Sequence, residues 1–264
     1  MERQHNPTVA VLGAGPIGMD AALACLAAGA EVTVYEAGPR AGHHVRDWQA
    51  VRLFTPWWMN VSPRMRALLG ERAPEGEHCP TGAELVTQLL EPLCELPELG
   101  GRIRYGERVV ALSREGLLKH EEIGSAARGA LPLRVLLDGP GGEHVERAEL
   151  VLDCTGSYGT ANSLGPGGIP ALGERQLSSQ IGRSIPRASD AARWSGTVLL
   201  VGAGKSAQTA AAELARMPEC SVEWVVRADE PDWGEIEADS LPARQQLVDS
   251  SRALAAGAQP RVRV

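Results

Sequence analysis

The chain is poor in aromatic side chains and in lysine. Its 264 residues include six tryptophans, three tyrosines and one phenylalanine, and only two lysines, Lys119 and Lys205, beside many arginines. That imbalance reads as coding bias and not as a binding patch. The net charge of −7 argues against non-specific adhesion to nucleic acid or to an acidic membrane surface. The five cysteines (Cys25, Cys79, Cys94, Cys154 and Cys220) form no C-x-x-C pair, which removes a structural zinc site and a dithiol redox pair. No Ser–His–Asp set, metal cluster or carboxylate pair stands out. The opening residues, MERQHNPT, lack the basic end and apolar stretch of a signal peptide, so a cytoplasmic location is expected. Val9 to Ala30 is apolar, but Gly13, Gly15, Pro16, Gly18 and Asp20 interrupt it. It reads as a buried strand and a small-residue helix, not as a membrane span.

What the chain has in quantity is glycine, and it uses glycine twice in the same way. Thr8 to Leu12 is a β-branched and aliphatic run suited to a strand buried on both faces. Gly13-Ala14-Gly15-Pro16-Ile17-Gly18 follows and matches G-x-G-x-x-G. In that pattern the first glycine permits a tight turn, the second admits a pyrophosphate to the backbone, and the third lets helix and strand pack closely. The N–H groups at the helix start favour phosphate charge. A second strand is expected over Glu31–Tyr35 with Glu36 at its end, where a carboxylate accepts from both hydroxyls of an adenosine ribose and repels a 2′-phosphate. The plainer alternative is a structural βαβ unit without a ligand.

The second unit starts at Thr197 to Val201 and continues Gly202-Ala203-Gly204-Lys205-Ser206-Ala207, with alanine at the third glycine position. A helix is expected over Ser206–Arg216 and a strand over Ser221–Val226. Arg227 then stands where the first unit has Glu36. A guanidinium suits a ribose 2′-phosphate, so this unit favours NADP over NAD. The alternative for Arg227 is a surface residue closing a strand, and for Lys205 a phosphate contact or a solvated side chain. The two units therefore point to two different dinucleotides, an unphosphorylated one such as FAD or NAD at the first and a phosphorylated one at the second. Two such sites in one chain suggest electrons passing from NADPH to a bound flavin.

The order of these segments resembles the two-dinucleotide flavoprotein oxidoreductases, and among them the flavin-containing monooxygenase-like branch. The segments that carry the resemblance are GAGPIG with Glu36, WQAVRLFTPW at 48–57, CPTGAELVTQLLEPL at 79–93, ERVVALSR at 107–114, VLDCTGSYG at 151–159, and GAGKSA with Arg227. The resemblance implies an α/β fold of two Rossmann-like three-layer domains, one for FAD and one for NADP, the second incomplete. Residues 1–158 would form the FAD-binding domain, 159–195 a connection and 196–264 a partial NAD(P)-binding domain. It implies cofactor contacts at Gly13, Gly15, Pro16, Ile17, Gly18 and Glu36, and at Gly202, Gly204, Ser206, Ala207 and Arg227. VLDCTGSYG is similar to the family's A-T-G motif, which adds Thr155 and Gly156. ERVVALSR resembles the strand whose backbone meets the adenine, which points to Val109 or Val110, with Val110 preferred. The implied activity is hydride transfer from NADPH to flavin and oxygenation of a small-molecule substrate. A non-oxygenating flavin reductase and a non-catalytic dinucleotide-binding module are the alternatives.

Three further expectations come from the residues. Thr81 and Glu84 predict a capping box at the start of the helix in the 79–93 segment. Trp48, Phe54, Trp57 and Trp58 fall close together and either wall a flavin pocket or fill a core short of large groups. His43, His44 and Arg52 lie in the same stretch, each histidine being more in keeping with a structural than a catalytic group. The sequence departs from the family after Glu36, reading AGHHVRDW, and places Pro56 after Thr55, so the usual oxygenating constellation is not demonstrated. The final RVRV reads as a strand cut short, and an incomplete chain is expected.

Overall fold

The computed structural model describes residues 5–264. The chain divides into two compact units. The first runs to Gln49 and resumes over Pro56–Gly159; the second takes Ala50–Thr55 and Thr160–Val264.

In the first unit, β1 (Thr8–Leu12) leads through the glycine turn into a helix over Pro16–Ala27, and β2 (Glu31–Glu36) follows. Pro16 suits the first helical position because its missing N–H would have no intrahelical acceptor there. Gly18, Met19, Ala22 and Leu23 of this helix are buried, and its small residues allow a close approach to the sheet. After several short helices come β3 (Ile103–Tyr105), then β4 (Arg108–Arg114), β5 (Leu133–Gly139) and β6 (Gly142–Ala148), and finally β7 (Leu150–Asp153). The parallel sheet has the order β3-β2-β1-β7, with Val9–Leu12 of β1 paired to Leu150–Asp153. The chain thus crosses from one side of β1 to the other, and it is outside the carboxyl ends of the strands at such a switch point that open α/β sheets bind ligands. The antiparallel sheet β4-β5-β6 packs on the parallel one through Val135, Leu137 and Ala148 against Ala10, Leu12 and Tyr35.

The 79–93 segment is helical and carries the expected capping box. The Thr81 hydroxyl accepts from Glu84 N–H (3.2 Å), and the Glu84 carboxylate accepts from Thr81 N–H (2.7 Å). Its middle, Val86–Leu90, winds as a π-helical turn before Glu91–Cys94. Pro92 supplies the reason, since it can give no N–H to the carbonyl of Gln88 and its ring crowds that carbonyl.

The second unit is a parallel sheet of order β10-β9-β8, made of β8 (Gly196–Val201), β9 (Cys220–Val225) and β10 (Val262–Arg263). Helices over Lys205–Ala215 and Pro242–Ala255 accompany it. Its core gathers Ala211, Leu214, Val222, Trp224, Trp233, Val248 and Val262. Both expected strands and the helix of the second glycine unit are present, the helix starting one residue earlier than expected and β9 ending one residue sooner. The strand read in RVRV pairs with Val222 and Glu223 of β9. The glycine- and proline-rich stretch before β8 is organised by Glu174. Its buried carboxylate accepts from the N–H groups of Leu164 (3.0 Å) and Ala171 (2.8 Å) and from the Arg183 guanidinium (2.6 Å). Among the described residues, no helix is long and apolar enough to cross a membrane.

Candidate functional site

The first glycine turn is built from backbone at close quarters. Gly13 has φ +96°, a left-handed value, and a side chain there would also lie 2.9 Å from the Cys154 carbonyl oxygen. A Cβ on Gly18 would stand 1.9 Å from the Gly13 carbonyl oxygen, so only glycine lets the helix start so close to the turn. Gly15 is different. Its backbone is ordinary extended chain (φ −84°, ψ −178°), and an added Cβ would meet no atom within 4 Å. Neither conformation nor packing within the protein calls for glycine at this position. The space that Gly15 leaves open lies at the uncapped start of the first helix, where no side chain supplies the cap.

Glu36 is tied directly to this turn. One carboxylate oxygen accepts from Ala14 N–H (2.8 Å) and the other from Gly38 N–H (2.7 Å), and the side chain is buried. Each oxygen keeps a second lone pair for an external donor. Ala14 in turn accepts from Gly42 N–H (2.9 Å), which brings the AGHH segment onto the turn. The first fingerprint and its acid are therefore one hydrogen-bonded assembly. Glu107 N–H donates to the Glu36 carbonyl (2.9 Å), and one residue later β4 begins. Val110 sits in a β-bulge of β4, between the Val109–Leu137 and Ala111–Leu136 pairs, and is 52% exposed, whereas Val109 packs against the core.

The exit from β7 comes up beside the turn, with Cys154 and Thr155 at the Gly13 backbone. Thr155 turns inward on its own chain. Its N–H (3.1 Å) and hydroxyl (2.7 Å) both donate to Asp153, whose carboxyl is thereby held below its usual range. Gly156 follows with φ +67° and open space at its Cβ position. The His44 ring lies 5.3 Å from Tyr158 and 5.4 Å from His43, and His44 also pairs with Asp47 (3.3 Å). Sequence reasoning named His43 and His44 but had no signal for Tyr158. The tryptophans of the 48–58 segment differ in their surroundings. The Trp48 ring lies close against Gly82, Trp57 is buried, and Trp58 is exposed and donates to Glu77.

The second glycine turn repeats the plan. Gly202 has φ +113° and donates its N–H to the Val225 carbonyl (2.9 Å). Gly204 caps the helix with φ −69° and ψ 168°, and a Cβ there would meet nothing within 4 Å. Ser206 is exposed in the first turn of the helix, with Ala207 beside it. Arg227 lies two residues beyond the end of β9, exposed, and makes no ion pair with a described residue. Lys205 is neither a free side chain nor turned to the open space. Its ammonium donates to the carbonyls of Trp233 (2.8 Å) and Gly234 (3.1 Å), and burial, with repulsion from Arg244, lowers its pKa. Gln208 donates to Trp233 and Ala203, and Trp224 donates its indole N–H to Gly202. No sequence signal singled out Gln208, Trp224 or Trp233. Among the described residues, no group of three or more His, Cys, Asp or Glu could hold a metal ion.

Each unit has a parallel sheet with a glycine turn opening onto a helix start, the arrangement of a Rossmann-like fold. Comparison with known proteins gives the same answer for the fold. Over 98% of its length the chain is similar to the bacillithiol disulfide reductase of Bacillus cereus, at 18% identity and a TM-score of 0.64, covering 67% of that chain. It is similar over 95% to a flavin monooxygenase from Stenotrophomonas maltophilia, at 22% identity and a TM-score of 0.60, covering 68%. Over 96% it is similar to the ornithine N-hydroxylase of Kutzneria sp. 744, solved with reduced FAD, NADP+ and L-ornithine, at 18% identity and a TM-score of 0.58, covering 59%. The chain thus has the fold of flavoprotein oxidoreductases and spans about two thirds or less of these neighbours' length. No family model and no curated sequence matches it.

Proposed function

We propose that the protein is an FAD-dependent oxidoreductase supplied with hydride by NADPH, and that within this class it is a monooxygenase of a small-molecule substrate, working in the cytoplasm. One observation carries the reading. Gly15 and Gly204 hold open space that neither the backbone nor the packing of the protein requires, each at the start of a helix. A pyrophosphate at each turn accounts for both.

The residues present fit the two groups differently. At the first turn, Gly13 to Gly18 would hold the FAD pyrophosphate and Glu36 the adenosine ribose. The loop from Thr155 to Gly156 and the bulge at Val110 would contribute to the same cofactor site. At the second turn, Gly202 to Ala207 would hold the NADPH pyrophosphate and Arg227 its 2′-phosphate. When bound, the flavin would accept the hydride and carry the oxygen chemistry, while the chain would supply binding, orientation and exclusion of water. Both Glu36 oxygens are fixed by backbone N–H groups, so the ribose acceptor is already oriented before a ligand arrives.

A non-oxygenating reductase is the competing reading, favoured by the disulfide reductase among the neighbours. The five cysteines are all free thiols, and no two are spaced as C-x-x-C, which disfavours a dithiol-based reductase. The test is steady-state NADPH oxidation with oxygen uptake by the flavin-loaded chain over a panel of amine and sulfide substrates. Substrate-dependent uptake with an oxygenated product supports the monooxygenase. Electron transfer to a dye without oxygenated product assigns the reductase, and cofactor binding without turnover assigns a binding module.

A further inference from the structure

The segment that carries Arg227 is fastened to the second glycine turn at both of its ends. At the near end, Gly202 N–H donates to the Val225 carbonyl (2.9 Å), and the Trp224 indole N–H donates to the Gly202 carbonyl (2.7 Å). At the far end, the Trp233 carbonyl accepts from both the Lys205 ammonium (2.8 Å) and the Gln208 amide (2.9 Å), while Lys205 also reaches Gly234 (3.1 Å). The two tryptophans, one from each end, meet with ring centroids 4.9 Å apart at 54°. Between the fastenings runs an arc, Val226–Asp232, half-buried at Val226 and Pro231 and otherwise exposed, bearing one guanidinium, Arg227, and the carboxylates of Asp229, Glu230 and Asp232, the last of which accepts from Gly234 N–H (2.8 Å).

We propose that Lys205 is a positioning residue for dinucleotide selection, which fixes the far end of this arc so that Arg227, and not the neighbouring carboxylates, faces the 2′-position of the bound nucleotide. The inference builds on the reading of the second turn as the NADPH site. Two of the three donors of the ammonium are committed to carbonyls of the arc's far end, a geometry that serves the arc and not a phosphate. Gln208 reinforces the same carbonyl from a fully buried position and ties it to the start of the helix through a second bond to Ala203. Selection follows from the arc's charge pattern. A 2′-phosphate gains from Arg227 only while the arc is held, and it is repelled when the three carboxylates are free to take its place. A nucleotide with a free 2′-hydroxyl is nearly indifferent to that change.

The test compares the full-length protein with its Lys205→Met and Gln208→Met variants. Far-ultraviolet circular dichroism of the nucleotide-free proteins, in the strong indole band, reads the coupling of the Trp224–Trp233 pair, and titration then gives the affinities for NADPH and NADH. Gln208→Met removes the amide donations to Trp233 and Ala203 together with an unsatisfied buried oxygen, and so releases the same carbonyl by an uncharged route if Lys205→Met folds poorly. The expected result is a reduced tryptophan couplet in both variants, with NADPH bound about five- to tenfold more weakly and NADH within about twofold of the original. An unchanged couplet overturns the proposal, because the arc is then not held by these side chains. Equal weakening of NADPH and NADH also overturns it, because Lys205 then serves the shared pyrophosphate. An original protein that binds neither nucleotide sinks the NADPH-site reading and the selection role with it, while the nucleotide-free couplet still reports on the fastening.

Discussion

Gly15→Ala separates what the protein needs from what a ligand needs. The backbone at Gly15 is extended and open to any residue, and the new methyl would touch nothing within 4 Å. Replacing glycine at a compatible position stabilises by roughly 0.4–1 kcal/mol through the unfolded chain. Alanine is a poorer helix N-cap than glycine, which offsets that gain by a similar amount. The net change in stability is within about 1 kcal/mol, or roughly 2–4 °C in melting temperature for a unit of this size. For a bound pyrophosphate, however, the same methyl occupies the line of approach. Forcing a methyl into a filled space costs about 1–3 kcal/mol, equivalent to roughly a 5- to 150-fold loss of affinity. Gly18→Ala gives the opposite pattern, since its Cβ would stand 1.9 Å from the Gly13 carbonyl oxygen and the turn must shift even when empty. The assay is a thermal melt of each cofactor-free variant together with a flavin-binding titration by fluorescence quenching. A Gly15→Ala protein that melts as before and binds FAD as before would refute the reasoning.

Three further outcomes are expected. Gly204→Ala, at the matching position of the second turn, weakens NADPH binding while leaving FAD affinity and the melting temperature unchanged; loss of FAD instead contradicts the assignment of the two turns. Glu36→Gln sets an amide NH2 against a backbone N–H of Ala14 or Gly38, costing about 1–3 kcal/mol, and it lowers both the melting temperature and FAD affinity. An unshifted melt would show that these hydrogen bonds carry nothing. Asp239 accepts two bonds from Arg244 (2.7 and 2.6 Å) and one from Leu241 N–H, and the guanidinium above all lowers its carboxyl from 3.8 to about 2. A carboxyl depressed in the folded state stabilises above its unfolded value and loses that contribution as pH falls through the folded one. The melting-temperature gap between the original and Asp239→Asn is therefore widest above the ordinary carboxylate range and closes toward pH 2; a gap that ignores pH contradicts the pairing.

The strands, the two glycine turns and the capping box were legible in the sequence because each is governed by neighbours in the chain. The run Thr8–Leu12, the spacing of Gly13, Gly15 and Gly18, and the Thr81–Glu84 pair all act over a few residues. The bulge that exposes Val110 was not legible, since it depends on the register of β4 against β5. Lys205 looked like a phosphate ligand or a free lysine because its true partners, the carbonyls of Trp233 and Gly234, lie far along the chain and have no side-chain signature. The same distance hid Tyr158 beside His44 and Trp224 beneath Gly202. The aromatic cluster at 48–58 was close in sequence, but its members turned to different surroundings, Trp57 to the interior and Trp58 to solvent.

The account stands most directly on the visible absorption spectrum of the purified full-length chain, incubated with FAD, desalted and then titrated with NADPH without oxygen. A retained yellow chromophore that bleaches on addition of NADPH is the predicted result. A protein that comes through desalting colourless, or a bound flavin that NADPH leaves oxidised, would contradict it.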